Sequence, residues 1–225
     1  AQTLLEMLNA SSFARSDDPA MLTEMSLLVS SLGDQATALS LVDRALKYKP
    51  DFAQALYLRG TLHMFLGDMD RAEADLEQCI RLEPMFPQAH WVLSSVKTWM
   101  PEHNHVARLR EIIGRGASDP SGQSYLYFAL HNELHGLERF DEAWDALERG
   151  CRAKRRIEAY DDRKTADLFA GIETLCTPGF IADQQPIESA EYTPIFILGM
   201  HRSGTTLLER ILGGHPDDGS RAFGE

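Results

Sequence analysis

Residues 32–52, LGDQATALSLVDRALKYKPDF, and residues 66–86, LGDMDRAEADLEQCIRLEPMF, align without a gap at a shift of 34 residues. Gly33 meets Gly67, Ala38 meets Ala72, Pro50 meets Pro84 and Phe52 meets Phe86; just beyond, Gln54 meets Gln88 and Ala55 meets Ala89. A period of this length means stacked helical hairpins, each unable to bury its apolar face until a neighbour covers it. Ala38 and Ala72 are small enough for two helices to approach closely, as are Ala45 and Cys79 seven residues on. Pro50 and Pro84 stop the second helix, because the ring removes a donor and clashes with the preceding turn. Leu-Gly-Asp makes the turn inside the hairpin: glycine tolerates a positive φ and aspartate caps the helix that follows.

These units resemble tetratricopeptide repeats. One runs from about Pro19 to Phe52 and a second from about Ala53 to Phe86. A third opens with PQAHWVLSSV and degrades at WMPEHNHVARLREII, where Pro101 falls in the expected turn. A later hairpin, YLYFALHNELHGLERFDEAWDALERGCRAKRR, has Phe140, Ala143 and Leu147 in second-helix positions. The expected fold is therefore mostly α, a helical-hairpin solenoid over 19–156. An amphipathic N-terminal helix precedes it at 1–18, and a capping helix follows at 157–177, from the helical spacing of Ile157, Tyr160, Leu168, Ile172 and Leu175. Such repeats bind a protein or peptide on an exposed face and carry no chemistry of their own.

Periodicity stops at Pro178, and the proline-containing segment 178–194 reads as a linker. Then Ile195–Leu198 is a short apolar run suited to a strand buried on both faces. Gly199–Gly204 is a turn, and a helix from Thr205 has Leu207, Leu208, Ile211 and Leu212 on one face and Gly213-Gly214 at its end. A strand, a glycine-bounded loop and a helix make an anion cradle from unpaired backbone N–H groups and the helix dipole. Gly204 allows close approach, the hydroxyls of Thr205 and Thr206 donate, and Arg202 adds a planar charged fork. The nucleotide triphosphatase loop needs lysine where Thr205 stands, which counts against ATP or GTP hydrolysis.

The string GMHRSGTTLLERIL resembles instead the 5′-phosphosulfate loop of sulfotransferases. The whole order of helical repeats, linker and loop looks like the bacterial tetratricopeptide-repeat sulfotransferases, with 195–225 as the start of a P-loop-like α/β domain. That resemblance implies 3′-phosphoadenosine 5′-phosphosulfate as sulfuryl donor and a hydroxyl or amine as acceptor. It also implies Gly199, Met200, His201, Arg202, Ser203, Gly204, Thr205 and Thr206 as donor-binding residues. Arg202 would stabilise the leaving phosphate. His201 stands where the family often has proline. The terminal Gly224-Glu225 resembles the Gly-Glu pair whose glutamate is the catalytic base, so Glu225 is either that base or a solvated terminal residue. One strand and one helix cannot make a sheet. The chain is thus expected to be a fragment of a longer enzyme, inactive alone. The alternative is a repeat scaffold that only binds protein, with 178–225 as a degenerate tail. A third reading is a phosphate loop for a different nucleotide.

Composition narrows the partners. Of 225 residues 34 are acidic and 22 basic, a net charge of −12, and this argues against nucleic acid or an anionic membrane surface. No apolar run approaches the roughly 20 residues that span a bilayer. Cys79, Cys151 and Cys176 are odd in number and lack zinc-ligand spacing, which fits a reduced, cytoplasmic setting and buried small-residue roles. His131 and His135 stand at zinc-compatible spacing, but Asn132 replaces the glutamate of the hydrolytic motif, and no metal is expected. His103 and His105 are a weaker metal pattern. The basic run Arg152, Lys154, Arg155 and Arg156 reads as a solvated helix end, with docking of an acidic or sulfated partner as the minority view.

Overall fold

A computed structural model of the chain describes residues 16–116, 119–182, 197–199 and 203–213. The chain divides into two units, residues 1–160 and 161–225. The first contains α1 (Pro19–Ser31), α2 (Gln35–Tyr48), α3 (Ala53–Phe65), α4 (Met69–Leu82), α5 (Pro87–Val96), α6 (Val106–Gly114), α7 (Pro120–Gly136) and α8 (Phe140–Ile157). Of the helix expected at 1–18, residues 16–18 are non-helical and lead into the Asp18 cap of α1, while 1–15 lie outside the described residues.

Helices α1 and α2, α3 and α4, and α7 and α8 pair as hairpins, and α1, α3, α5 and α7 lie side by side. Ala38, Ala45, Ala72 and Cys79 are fully buried where the repeat demands small residues. At Gly60 a Cβ would stand 2.9 Å from Leu76 Cγ and 3.2 Å from the Ala72 carbonyl oxygen, so glycine lets α3 lie directly on α4. The two Leu-Gly-Asp turns close alike. Gly33 and Gly67 take φ of +94° and +83°. The Gly67 N–H donates to the Met64 carbonyl at 3.1 Å and the Asp68 N–H to that of His63 at 2.9 Å, which satisfies the last carbonyls of α3. Asp34 and Asp68 then accept the N–H groups of Thr37 (3.0 Å) and Arg71 (3.2 Å), capping α2 and α4.

The third hairpin departs where Pro101 stands. Proline cannot adopt the positive φ of the glycines. The chain instead makes an isolated antiparallel bridge between Met100 and His103, then a nine-residue α6. Helix α5 accordingly lies against α4 and α7 rather than against α6. Two apolar clusters result. One joins α1–α5 with Trp99; the other joins α6–α8 through Val106, Leu109, Ile112, Leu126, Ala129, Leu130, Leu134, Ala143 and Ala146. Each fully buried leucine contributes about 2 kcal/mol.

The second unit holds α9 (Asp162–Leu175), α10 (Pro178–Ala182) and α11 (Thr205–Gly213). The helix expected at 157–177 is thus two pieces: Ile157 ends α8, and a new helix starts after the Asp161 cap. The linker expected at 178–194 opens with the short α10, and its residues 183–194 lie outside the described residues. No strand is present among the described residues. Of the run 195–198 only Ile197 and Leu198 are described. They join no ladder, and Leu198 is exposed. A lone strand without a partner leaves its backbone groups unpaired. Among the described residues no helix is long and apolar enough to cross a membrane.

Candidate functional site

Two places were singled out by sequence: the loop before α11 and the exposed face of the hairpins. In the loop, Gly199, Ser203, Gly204, Thr205 and Thr206 are described; Met200, His201, Arg202 and the candidate base Glu225 lie outside the described residues. Gly204 has φ +88°, with open space where a side chain would stand, and its carbonyl accepts the Leu208 N–H at 3.0 Å. It is therefore the residue from which α11 starts. A Cβ on Gly199 would collide with Ser203 Oγ and lie 3.0 Å from Thr205 Cγ2, so Gly199 sits directly against Ser203 and Thr205. The first N–H groups of α11 have no partner within the helix and carry its positive dipole end.

The hairpin face is formed by the first helices α3, α5 and α7. Tyr57, Trp91 and Tyr125 recur at the 34-residue interval. The Trp91 and Tyr125 rings lie 5.4 Å apart, and Tyr57 packs on Phe86 at 5.1 Å. Gln54, Trp91 and Ser95 are exposed, and Thr61, Gln88, Tyr125 and Asn132 half-buried. Asn132 Nδ2 donates to Ser94 Oγ (3.0 Å) and Ser95 Oγ (3.1 Å), fixing α7 beside α5. Helix α3 carries a single Lys, Arg, Asp or Glu residue, Arg59; α5 carries none; α7 carries Glu133 alone. Both charges are already engaged. Arg59 forks onto the buried Asp75 through two bonds of 2.7 Å and reaches Asp43 at 3.0 Å, which raises its pKa further. Glu133 is buried and accepts both the backbone N–H (2.5 Å) and Nδ1–H (2.6 Å) of His105.

His105 is bracketed: its Nε2 lies 3.1 Å from Glu77, which Arg108 grips bidentately at 2.9 Å. Both ring nitrogens face carboxylates, so both donate and the ring is imidazolium. Burial opposes that charge, but the bonds to Glu133 and Glu77 outweigh it and raise the His105 pKa. Burial likewise opposes ionisation of Glu77, yet His105 and Arg108 bring it down to about 2. This chain of ions ties α4, α6 and α7 together where Pro101 broke the repeat. Spacing alone had suggested a weak metal pattern for His103 and His105. The other pair is also committed to packing: His131 Nδ1 donates to the Ala143 carbonyl at 3.0 Å, and the His135 ring meets Phe140 edge-on. Among the described residues no three His, Cys, Asp or Glu side chains gather as a metal site. In the basic run, Arg152 pairs with Glu148, Lys154 with Glu158, and Arg155 lies over Tyr160. Cysteine burial holds only for Cys79; Cys151 and Cys176 are exposed.

Sequence reading missed the aromatic ladder and the His105 bracket. The 34-residue recurrence of Tyr57, Trp91 and Tyr125 was available as a signal. The pairing of Glu133 with His105, 28 residues apart, had none.

Residues 53–84 match the tetratricopeptide repeat, and residues 194–225 match the sulfotransferase family. A crystal structure of MamA shares the fold, with TM-score 0.51 over 69 % of this chain and 86 % of its own at 17 % identity. A structure of YrrB, described as a TPR protein with an unusual peptide-binding site, gives 0.45 over 64 % and 75 % at 18 % identity. An uncharacterized protein of Aquifex aeolicus (strain VF5) is 24 % identical over 150 residues, 67 % of this chain. The match spans 19 % of that relative's length. The hairpins of the first unit are a helical solenoid like that of tetratricopeptide repeats, with residues 53–84 matching one such repeat.

Proposed function

We propose that this chain is a protein-interaction scaffold whose tetratricopeptide-repeat face binds a peptide segment of a partner. The observation that supports it is the set of non-buried aromatic, amide and hydroxyl side chains aligned across α3, α5 and α7. Hydrogen exchange on the native protein with and without a bound partner tests it. Added protection in α3, α5 and α7 is expected; protection confined to α4 and α8 would place the binding surface elsewhere.

A second reading adds catalysis, and it is favoured by the match at 194–225 together with the Gly204 turn into α11. On this reading Gly199, Met200, His201, Arg202, Ser203, Gly204, Thr205 and Thr206 hold 3′-phosphoadenosine 5′-phosphosulfate. The described residues fit an anion in two respects: open space at Gly204, and helix N–H groups with no internal partner. When bound, that donor supplies an activated sulfuryl group. Arg202 neutralises negative charge at the phosphate end, and Glu225 takes the proton of the acceptor's hydroxyl or amine. The repeats would then present the acceptor. Titrating adenosine 3′,5′-bisphosphate against ATP on the native protein and on Arg202→Ala is decisive. Preference for the bisphosphate, lost in the variant, supports the reading; preference for ATP rejects it.

A further inference from the structure

The charges of the first unit are unevenly placed. Helices α4 and α8 carry Asp70, Arg71, Glu73, Asp75, Glu77 and Arg81, and a dense mixture from Asp141 to Arg156. The first helices α3, α5 and α7 carry two such charges in all, and both point into ion pairs described above. A peptide lying along these helices thus meets mainly rings, amides and hydroxyls, and the charges that reach the face from adjacent segments are already engaged: Glu83 accepts from Gln54 Nε2 at 3.3 Å and Lys154 pairs with Glu158 at 2.9 Å. Thr61 Oγ1 donates to the Tyr57 carbonyl at 2.9 Å and Ser95 Oγ to the Trp91 carbonyl at 3.3 Å. Each hydroxyl has spent its proton within its own helix; Thr61 keeps its acceptor capacity and Ser95 the lone pair that Asn132 does not use, which suits main-chain N–H groups of a ligand.

We propose that the face of α3, α5 and α7 selects an extended peptide segment free of Asp, Glu, Lys and Arg, seated on Tyr57, Phe86, Trp91 and Tyr125. This rests on the scaffold reading and gives its partner a chemistry. A carboxylate or ammonium brought onto this face loses hydration and gains no opposite charge that is not already paired. An acidic segment is in addition repelled by a chain of net charge −12, while a basic one is drawn to the second-helix surfaces instead. Aliphatic and prolyl side chains lose nothing there and stack on the rings. Prolyl segments lose least entropy on binding because they are already extended.

The test is selection from a displayed library of random dodecapeptides against the full chain, read as residue enrichment in the recovered pool. The parallel bait is Trp91→Ala with its helicity confirmed by circular dichroism. Depletion of all four charged residue types, with enrichment lost on the variant and recovered peptides binding equally at low and high salt, is the expected result. A recovered pool rich in acidic or basic residues, or salt-sensitive binding, overturns the proposal while leaving the scaffold reading intact. A library that yields no enriched peptide overturns the scaffold reading and this proposal with it.

Discussion

Glu138 holds φ at 59°, the conformation that Gly33 and Gly67 supply in the other turns. Its N–H donates to the His135 carbonyl at 3.0 Å and that of Arg139 to the Leu134 carbonyl at 2.9 Å, so the same helix closure forms without glycine. A residue with a Cβ is strained there. Glu138→Gly is expected to raise stability by about 1 kcal/mol, read as a higher urea midpoint with unchanged slope, and Gly67→Ala to lower it by a similar amount. Cysteine chemistry separates in the same way. Burial pushes the Cys79 thiol up to about 12 and removes it from solvent, whereas Cys151 and Cys176 are exposed. Alkylation of the native chain should modify Cys151 and Cys176 and spare Cys79 until denaturant is added, as mass spectrometry of the digested protein can show.

Between elements, the informative place is the junction after α5. Two features of the repeats were readable from residues alone: the Leu-Gly-Asp turns, because glycine and aspartate act locally, and the small positions, because they recur. Pro101 announced that the third turn fails, but no local rule says what replaces it. The replacement depends on Glu77, His105, Arg108 and Glu133 meeting from three helices, with His90 of α5 nearby as a further titratable group. Removing one partner from a buried ion pair leaves the other uncompensated, so Glu133→Ala should cost about 3 kcal/mol. The pH response follows from the two shifts. His105 binds its proton more tightly folded than unfolded. Its contribution is complete below its ordinary value of 6.5 and fades as pH rises through the raised folded value. Glu77 contributes fully above its ordinary 4.5 and loses this as pH falls toward about 2. Burial lowers the His90 pKa, so its contribution is complete only above 6.5, and unfolding midpoints measured across pH should therefore peak near the upper of these ordinary values. His105→Gln should flatten the alkaline side of that profile; an unchanged profile would remove His105 from the linkage.

At the scale of the molecule, the sequence splits into a part whose reading rests on repetition and a part whose reading rests on a motif. The repeat of 34 residues foretold the hairpin stack because the second unit restates the packing rule of the first. The loop at 199–206 was legible as a turn into a helix, with Gly204 at its hinge. The anion binding proposed for it depends on Arg202 and the proposed proton transfer on Glu225, and both lie outside the described residues. The proposed binding face was the least legible part. Uncharged Tyr, Trp, Gln, Ser and Thr on a helix read as packing until neighbouring helices align them. The most direct measurement of the central claim is calorimetric titration of one selected neutral peptide into four proteins: the native chain, Tyr57→Ala, Trp91→Ala, and Arg71→Ala on the second-helix surface. The account predicts native affinity for Arg71→Ala and a loss of about tenfold, near 1.4 kcal/mol, for each aromatic variant. Equal affinity in the aromatic variants, or a loss confined to Arg71→Ala, would contradict it.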